Sequence, residues 1–425
     1  MEEYQVKKLE RKKNIIVSVP GSKSITNRAL LMAALSDRRV VLTNALFSDD
    51  SRYFLQSLKT LGFQTEVDEE NKNVTVCGAG GAIPYENVSI YVGSAGTAAR
   101  FLTAMLGLSG GIYTINASEQ MKKRPMKPLF EALEQLGVRF EYLEQEYFLP
   151  VKILGREAGK NKAVLDIEKT SQPLSALLMT GMMVKEGLEI CVTSRKKTGS
   201  YVEITRQMME AFGCTAEFDG ASYFIHAGSK YQTEEYQIEP DISAACYFYG
   251  IAALTGGSAV VKNVHKDTLQ GDIRFIGVLE QMGCTAEDTE QGIKVFAPED
   301  GVLHGITVDM NDFSDQALTL AAMAIFADAP VRITNIGHIR LQECDRISAI
   351  AENMKRLGIR CEEGKEEITI YPGKIKEAKI ETYEDHRVAM AFTLVGLMQQ
   401  GITILNPSCC KKTFENYYQV IETLY

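Results

Sequence analysis

Residues able to bind anions or move protons recur where the chain enters a run of uncharged residues. Lys23, Ser24 and Arg28 stand at one such entry, Gly93, Gly96, Thr97 and Arg100 at the next, and Thr170, Ser171 and Gln172 at a third. Asp312, Ser314 and Asp315 follow, then Glu384, Asp385, His386 and Arg387. More polar segments between them begin with Arg124, with Glu343, Asp345 and Arg346, and with Lys411 and Lys412. A helix N-terminus offers unpaired N–H groups and a partial positive charge, so it attracts anions before any side chain is added. Five strong cations (Lys23, Arg124, Arg346, Arg387 and Lys412) brought together would repel one another unless a polyanion lay among them.

Each residue also has a plainer reading. Ser24, Thr97 and Ser171 are good helix caps. Arg346 follows Glu343 at the spacing of a solvated ion pair. GSAGTAAR is by itself a weak phosphate signature, and one histidine among five says nothing about metal or base. What lifts them above these readings is a shared position in a repeat.

Six Ala-rich helix candidates begin near Ser24, Thr97, Ser171, Ser243, Asp315 and Arg387, at intervals of 72 to 74 residues. A β-branched run follows each: Val40–Thr43, Ile112–Ile115, Leu188–Val192, Ala259–Val261, Val331–Ile333 and Ile402–Ile404. A second helix then ends, in five units, at Gly62, Gly137, Gly213, Gly283 or Gly358, glycine being the usual helix stop. The pattern predicts a mixed α/β (α+β) fold of two domains, each of three βαβαββ units with buried helices. The sixth unit lacks its closing strands, whereas Tyr4–Leu9 and Ile15–Val19 are spare at the N-terminus. The N-terminus is therefore expected to complete the last unit, giving domains 21–240 and 1–20 plus 241–425.

Composition narrows the class. A net charge of −9 with no basic tail argues against nucleic acid. No apolar stretch is long enough for a bilayer, and the charged MEEYQVKKLERKK start lacks the apolar core of a signal peptide, so a cytoplasmic address is expected. The nine cysteines include no CxxC pair and read as small buried hydrophobes, Cys409 and Cys410 included.

The segments PGSKSITNRALLMAAL, GSAGTAARFLTAML, KRPMKPLFEAL, TSQPLSALLM, DMNDFSDQALTLA, ECDRISAIAENMKRLG, YEDHRVAMAFTLVG and CCKKTFENYY, in that order, resemble the signatures of the enolpyruvyl transferases, specifically the shikimate-pathway branch. The likeness runs through the whole chain. It implies the same two-domain fold, no metal or organic cofactor, a monomer, and two small substrates, phosphoenolpyruvate and shikimate 3-phosphate. Lys23 would bridge the two substrates. Ser24 and Arg28 would hold shikimate 3-phosphate, Arg28 pairing bidentately with its carboxylate, and Thr170, Ser171 and Gln172 would take its phosphate. Tyr201 would lie beside the shikimate ring. Gly96, Arg124, Arg346, Arg387 and Lys412 would surround phosphoenolpyruvate, with Gln172 reaching it too. Asp315 would be the base and Glu343 the proton donor, assisted by Lys23. Carboxylates near cations normally titrate low, so a proton on Glu343 requires substrate charge or burial to oppose that effect. Closure of the two domains on the substrates is expected because the cations are split between them and each half would be repulsive alone, and the likeness implies inhibition by glyphosate, a phosphoenolpyruvate-like anion.

Two positions depart from the family pattern. Gln342 stands where lysine is usual and His338 where asparagine is common, and both would touch the shikimate moiety. Weaker shikimate 3-phosphate binding is expected, unless a cation such as Arg340 compensates. Ser194, Thr198 and Ser200 are alternative sources of a further phosphate-binding hydroxyl. The sister branch, acting on UDP-N-acetylglucosamine, commonly carries a reactive cysteine shortly before the arginine matching Arg124; no cysteine lies between Cys77 and Cys191 here.

Overall fold

A computed structural model of the chain describes residues 2–10 and 13–425. Six helices with almost no charge in their bodies form its interior: α1 (Lys23–Leu35), α2 (Gly96–Ser109), α3 (Gln172–Thr180), α4 (Ile242–Thr255), α5 (Ala317–Ala324) and α6 (His386–Met398). A helix that is apolar all round is stable only where neighbours cover every face. Every residue of α5 is accordingly buried, as is all of α4 except Leu254. The chain divides into two compact units, Gly21–Ile238 and the residues through Pro20 together with Glu239–Tyr425. In the first, α1, α2 and α3 pack on one another; in the second, α4, α5 and α6 do. No helix among the described residues is long and apolar enough to cross a membrane.

The repeat is present as six small sheets, five of them four-stranded. The second, third and fifth sheets in chain order follow one plan: a strand, a crossover helix, a parallel strand, a second helix, and an antiparallel hairpin. Val88–Tyr91 thus runs parallel to Ile112–Asn116, which pairs antiparallel with Val151–Arg156, and that strand with Val138–Tyr142. The six β-branched runs are interior strands, one in each sheet. Edge strands such as Lys162–Leu165 alternate between exposed and buried residues, so one face is covered and the other faces outward. The five glycines that close the second helices all take left-handed φ values, between 73° and 101°.

The expectation for the N-terminus needs correction. Glu3–Gln5 does pair antiparallel with Ile402–Leu405, but the sixth sheet remains three-stranded. Asn14–Val17 lies elsewhere, parallel to Ser258–Val261 in the fourth sheet. Glu235–Gln237 holds the equivalent place in the first sheet, parallel to Arg39–Thr43. The strand preceding α1 and the strand preceding α4 are therefore exchanged, because the chain passes from one unit to the other directly after each of them. Adjacency in sequence assigns a strand to the helix it leads into, and here that rule fails twice for one reason.

The exchanged N-terminal strand fits closely against Gly257, where an added Cβ would stand 1.8 Å from the carbonyl oxygen of Lys13. That carbonyl accepts the Ser258 N–H at 3.0 Å, the first bond of the parallel pairing. Gly257→Ala is expected to pry the strand away and cost about 3 kcal/mol, read as a lower urea midpoint.

Candidate active site

In the Gly21–Ile238 unit the first turns of the three core helices meet. Asn27 Nδ2 on α1 donates to Thr97 Oγ1 on α2 at 2.6 Å. Arg28, fully buried on α1, donates from Nε to Thr205 Oγ1 at 2.8 Å and from Nη1 to the Ser24 carbonyl at 2.9 Å. Its Nη2 donates to Ser175 Oγ on α3 at 3.2 Å and to the Tyr201 carbonyl at 3.1 Å. All these acceptors are neutral, and burial among them pulls the guanidinium down to about 10, so it stays charged at neutral pH. Four of its five N–H donors are already used. Bidentate docking of a carboxylate therefore requires displacing a protein acceptor, which the resemblance alone did not suggest.

Other cations in this unit are loosely held. Lys23 Nζ lies 3.7 Å from the buried Asp50 carboxylate. The Arg124 guanidinium rests over Gly96, where an added Cβ would come within 2.7 Å of Nη1. Arg124 Nε, Gln172 Oε1 and Asp50 Oδ1 are buried polar atoms with no hydrogen-bond partner among the described residues. Buried polar atoms are ordinarily paired, so these three point to where a polar ligand would supply bonds. The capping reading fails at each position. Ser22, not Ser24, precedes α1; Thr97 Oγ1 is taken by Asn27; Ser171 occupies the cap position of α3 without making a capping bond. Thr170 Oγ1 accepts the Gln172 N–H at 3.3 Å. Of the three alternative hydroxyls, Ser194 is buried and accepts the Ile167 N–H at 2.9 Å, a structural duty.

The second unit builds a different cluster, around Arg346. The 3-10 turn Ser314–Gln316 leading into α5 presents Asp315, and the start of helix Arg346–Leu357 presents Arg346. Arg346 is 1% exposed and touches three carboxylates: Asp385 through Nε at 2.8 Å, Asp315 through Nη1 at 2.7 Å, and Glu343 through Nη2 at 3.0 Å. Burial opposes its charge, but Asp385, Glu343 and Asp315 together hold the guanidinium well above its ordinary value. The other Asp315 oxygen takes Arg387 Nη2 at 2.9 Å, and the other Glu343 oxygen lies 3.3 Å from Lys412 Nζ. Asp385 also caps α6 by accepting the Arg387 N–H.

Three cations thus face three carboxylates in this unit, so mutual repulsion of the cations is not the rule here. The expected charge excess belongs to the Gly21–Ile238 unit, where neither Arg28 nor Arg124 has a carboxylate within 4 Å among the described residues. The Glu343–Arg346 pair exists, but buried and shared, not on a solvated face. His338 Nε2 meets Ser314 Oγ at 2.7 Å, one residue from Asp315. Gln342 closes the 3-10 turn Gly337–Leu341. Arg340 is not placed to compensate for it: its guanidinium is held by Asp345 at 2.7 Å and Glu363 at 2.8 Å.

Sequence reasoning missed Asp50, Ser175, Thr205 and Asp272. Asp272 is buried in the turn Gly271–Arg274 and accepts from Ser243 Oγ and from Gln316 Nε2 at 3.1 Å. Burial and the nearby Asp315 charge push its carboxyl up to about 6, against the pull of Arg387. No spacing in the sequence signals any of the four, since each acts by being buried beside a residue distant in the chain. Arg346→Ala would leave three carboxylates uncompensated and should cost about 3–5 kcal/mol in unfolding free energy. Arg346→Lys should recover only part of that, because an ammonium cannot reproduce the planar fork.

Known proteins match this chain along nearly its whole length. Residues 8–421 match the family model described as EPSP synthase (3-phosphoshikimate 1-carboxyvinyltransferase). The 3-phosphoshikimate 1-carboxyvinyltransferase of Trichormus variabilis is 42% identical over 419 residues, covering 98% of each chain. The chloroplastic protein of that name from Arabidopsis thaliana is 39% identical over 96% of this chain and 82% of its own. Among solved structures, EPSP synthase from Acinetobacter baumannii superposes with a TM-score of 0.83 at 24% identity, covering 100% of this chain and 98% of that one. The enolpyruvyl transferase NikO from Streptomyces tendae gives 0.78 at 14% identity, over 99% and 96% of the two chains. Both likenesses speak to the fold, and with the family match and the full-length relatives they show that this chain belongs to the EPSP synthase family.

Proposed function

We propose that the chain transfers the enolpyruvyl group of phosphoenolpyruvate to the 5-hydroxyl of shikimate 3-phosphate, releasing phosphate. The observation that carries the mechanistic reading is the pairing of Asp315 and Glu343 on one buried arginine. Addition followed by elimination needs two proton-handling groups held in fixed relation, and a shared guanidinium fork holds them so. Glu343 delivers a proton to the methylene carbon of phosphoenolpyruvate, with Lys23 assisting, which makes the neighbouring carbon cationic. The shikimate hydroxyl attacks that carbon as Asp315 takes its proton. The tetrahedral adduct then expels phosphate, which leaves with the proton held by Asp315, as Glu343 takes back a methyl proton and the double bond is restored. The cations supply the charge stabilisation.

Substrate roles follow the same reading. Ser24, Arg28, Thr170, Ser171, Gln172, Tyr201, His338 and Gln342 recognise shikimate 3-phosphate, the free hydroxyls of Ser24 and Ser171 being suited to it. Lys23, Gly96, Arg124, Gln172, Arg346, Arg387 and Lys412 recognise phosphoenolpyruvate. The protein works as a cytoplasmic monomer and is inhibited by glyphosate.

Phosphate release from the purified protein should require both substrates; tight binding without release would overturn the assignment in favour of a binding protein. Asp315→Ala should lower kcat about a thousandfold while leaving KM for phosphoenolpyruvate unchanged or lower, because Arg346 and Arg387 each lose a counter-charge. A raised KM with kcat preserved would remove Asp315 from the role of base. Gly96→Ala should displace the Arg124 guanidinium and raise KM for phosphoenolpyruvate about tenfold with no change in thermal midpoint, measured in the same assay.

A further inference from the structure

Asp315 faces a difficulty as a base: Arg346 and Arg387 both donate to its carboxylate, and two guanidinium charges hold protons away from it. On the Arg346 side, Asp385 and Glu343 offset the charge. On the Arg387 side stands Asp272, buried and facing the same turn. Gln316, whose Nε2 donates to Asp272 at 3.1 Å, is the residue next to Asp315, and Gln316 is itself fully buried and bonded to Thr319. Ser243 Oγ, in the first turn of α4, donates to the same Asp272 oxygen. The carboxylate therefore ties the turn that carries Asp315 to a second core helix.

We propose that Asp272 is a positioning residue for the transfer reaction: its carboxylate anchors the Ser314–Gln316 turn and supplies the negative charge that keeps Asp315 effective as a proton acceptor beside Arg387. This rests on Asp315 being the base. Asp315 and Arg387 act on Asp272 from the turn and from α6. Cys246 on α4 donates its thiol to the Asp272 carbonyl, and Asp241, at the α4 cap, accepts the Ala244 N–H. Arg274 in its own turn is paired with Asp312 at 2.8 Å. The helix that follows, Phe275–Gln281, buries only apolar side chains, with Glu280 exposed. The raised carboxyl of Asp272 places its ionisation within the working range, so the charge is present above about pH 6 and absent below it.

The test uses the full chain and compares Asp272→Asn, Ser243→Ala and Asp315→Asn. kcat, KM for both substrates and the thermal midpoint are measured across pH 5 to 9. Asp272→Asn, nearly isosteric but neutral, should lower kcat about tenfold at pH 7.5 with both KM values within about twofold. The acid limb of its kcat profile should move down by about one pH unit, because the fall near pH 6 that comes from protonating Asp272 is then gone. Ser243→Ala, which removes a donor to the charged form of Asp272, should move the limb upward instead, and it serves if Asp272→Asn folds poorly. Unmoved limbs in both variants, or a kcat loss that merely follows the thermal midpoint, would overturn the proposal. Asp315→Asn separates the two levels. Retained turnover there removes the base assignment itself, whereas lost turnover with an unmoved Asp272→Asn limb removes only the role of Asp272.

Discussion

A guanidinium taken out of water is costly unless nearly every N–H finds an acceptor and the charge is balanced. Arg346 meets that requirement with three carboxylates drawn from three separate segments: Asp315 before α5, Glu343 before its own helix, and Asp385 at the head of α6. None of these groups is stable in its buried place without the others. The chemistry-bearing carboxylates are thus fixed by the same contacts that join the second and third repeats of this unit. Function and local stability draw on one set of ion pairs.

The Gly21–Ile238 unit solves the opposite problem. It keeps positive charge buried without neutralising it, resting Arg28 on hydroxyls, carbonyls and the faces of Phe101 and Tyr201. Such an arrangement is destabilising in isolation and useful to an anion. One unit therefore carries paired charge suited to moving protons, and the other carries unpaired charge suited to binding phosphorylated acids. Six equivalent repeats have been given two unlike electrostatic characters by the choice of a few residues at helix starts.

The repeat also constrains what may change. Helices that are apolar on all sides leave their first turns as the places where polar residues find room. Chemistry collects there because the bodies of α1 to α6 can accept almost nothing but apolar or small side chains. The exchange of first strands between the two units adds a topological link: the N-terminal strand and residues 235–237 each complete a sheet whose helix they do not precede.

Period, helix burial, interior strands and glycine stops were all legible in the sequence, because they follow from local composition recurring at a fixed interval. The polar residues at helix starts were legible for the same reason. Which strand joins which sheet was not, since pairing is decided by where the chain passes between units and not by what lies next to what. Nor was the balance of charge around Lys23, Arg28, Arg346 and Arg387. Whether a cation is bare or paired depends on carboxylates such as Asp50, Asp272 and Asp385, brought near by folding. Burial then magnifies each of those encounters, because within the protein there is little water to screen a charge. Sequence decides which groups are available; only the packed structure decides which of them meet and how strongly they are felt.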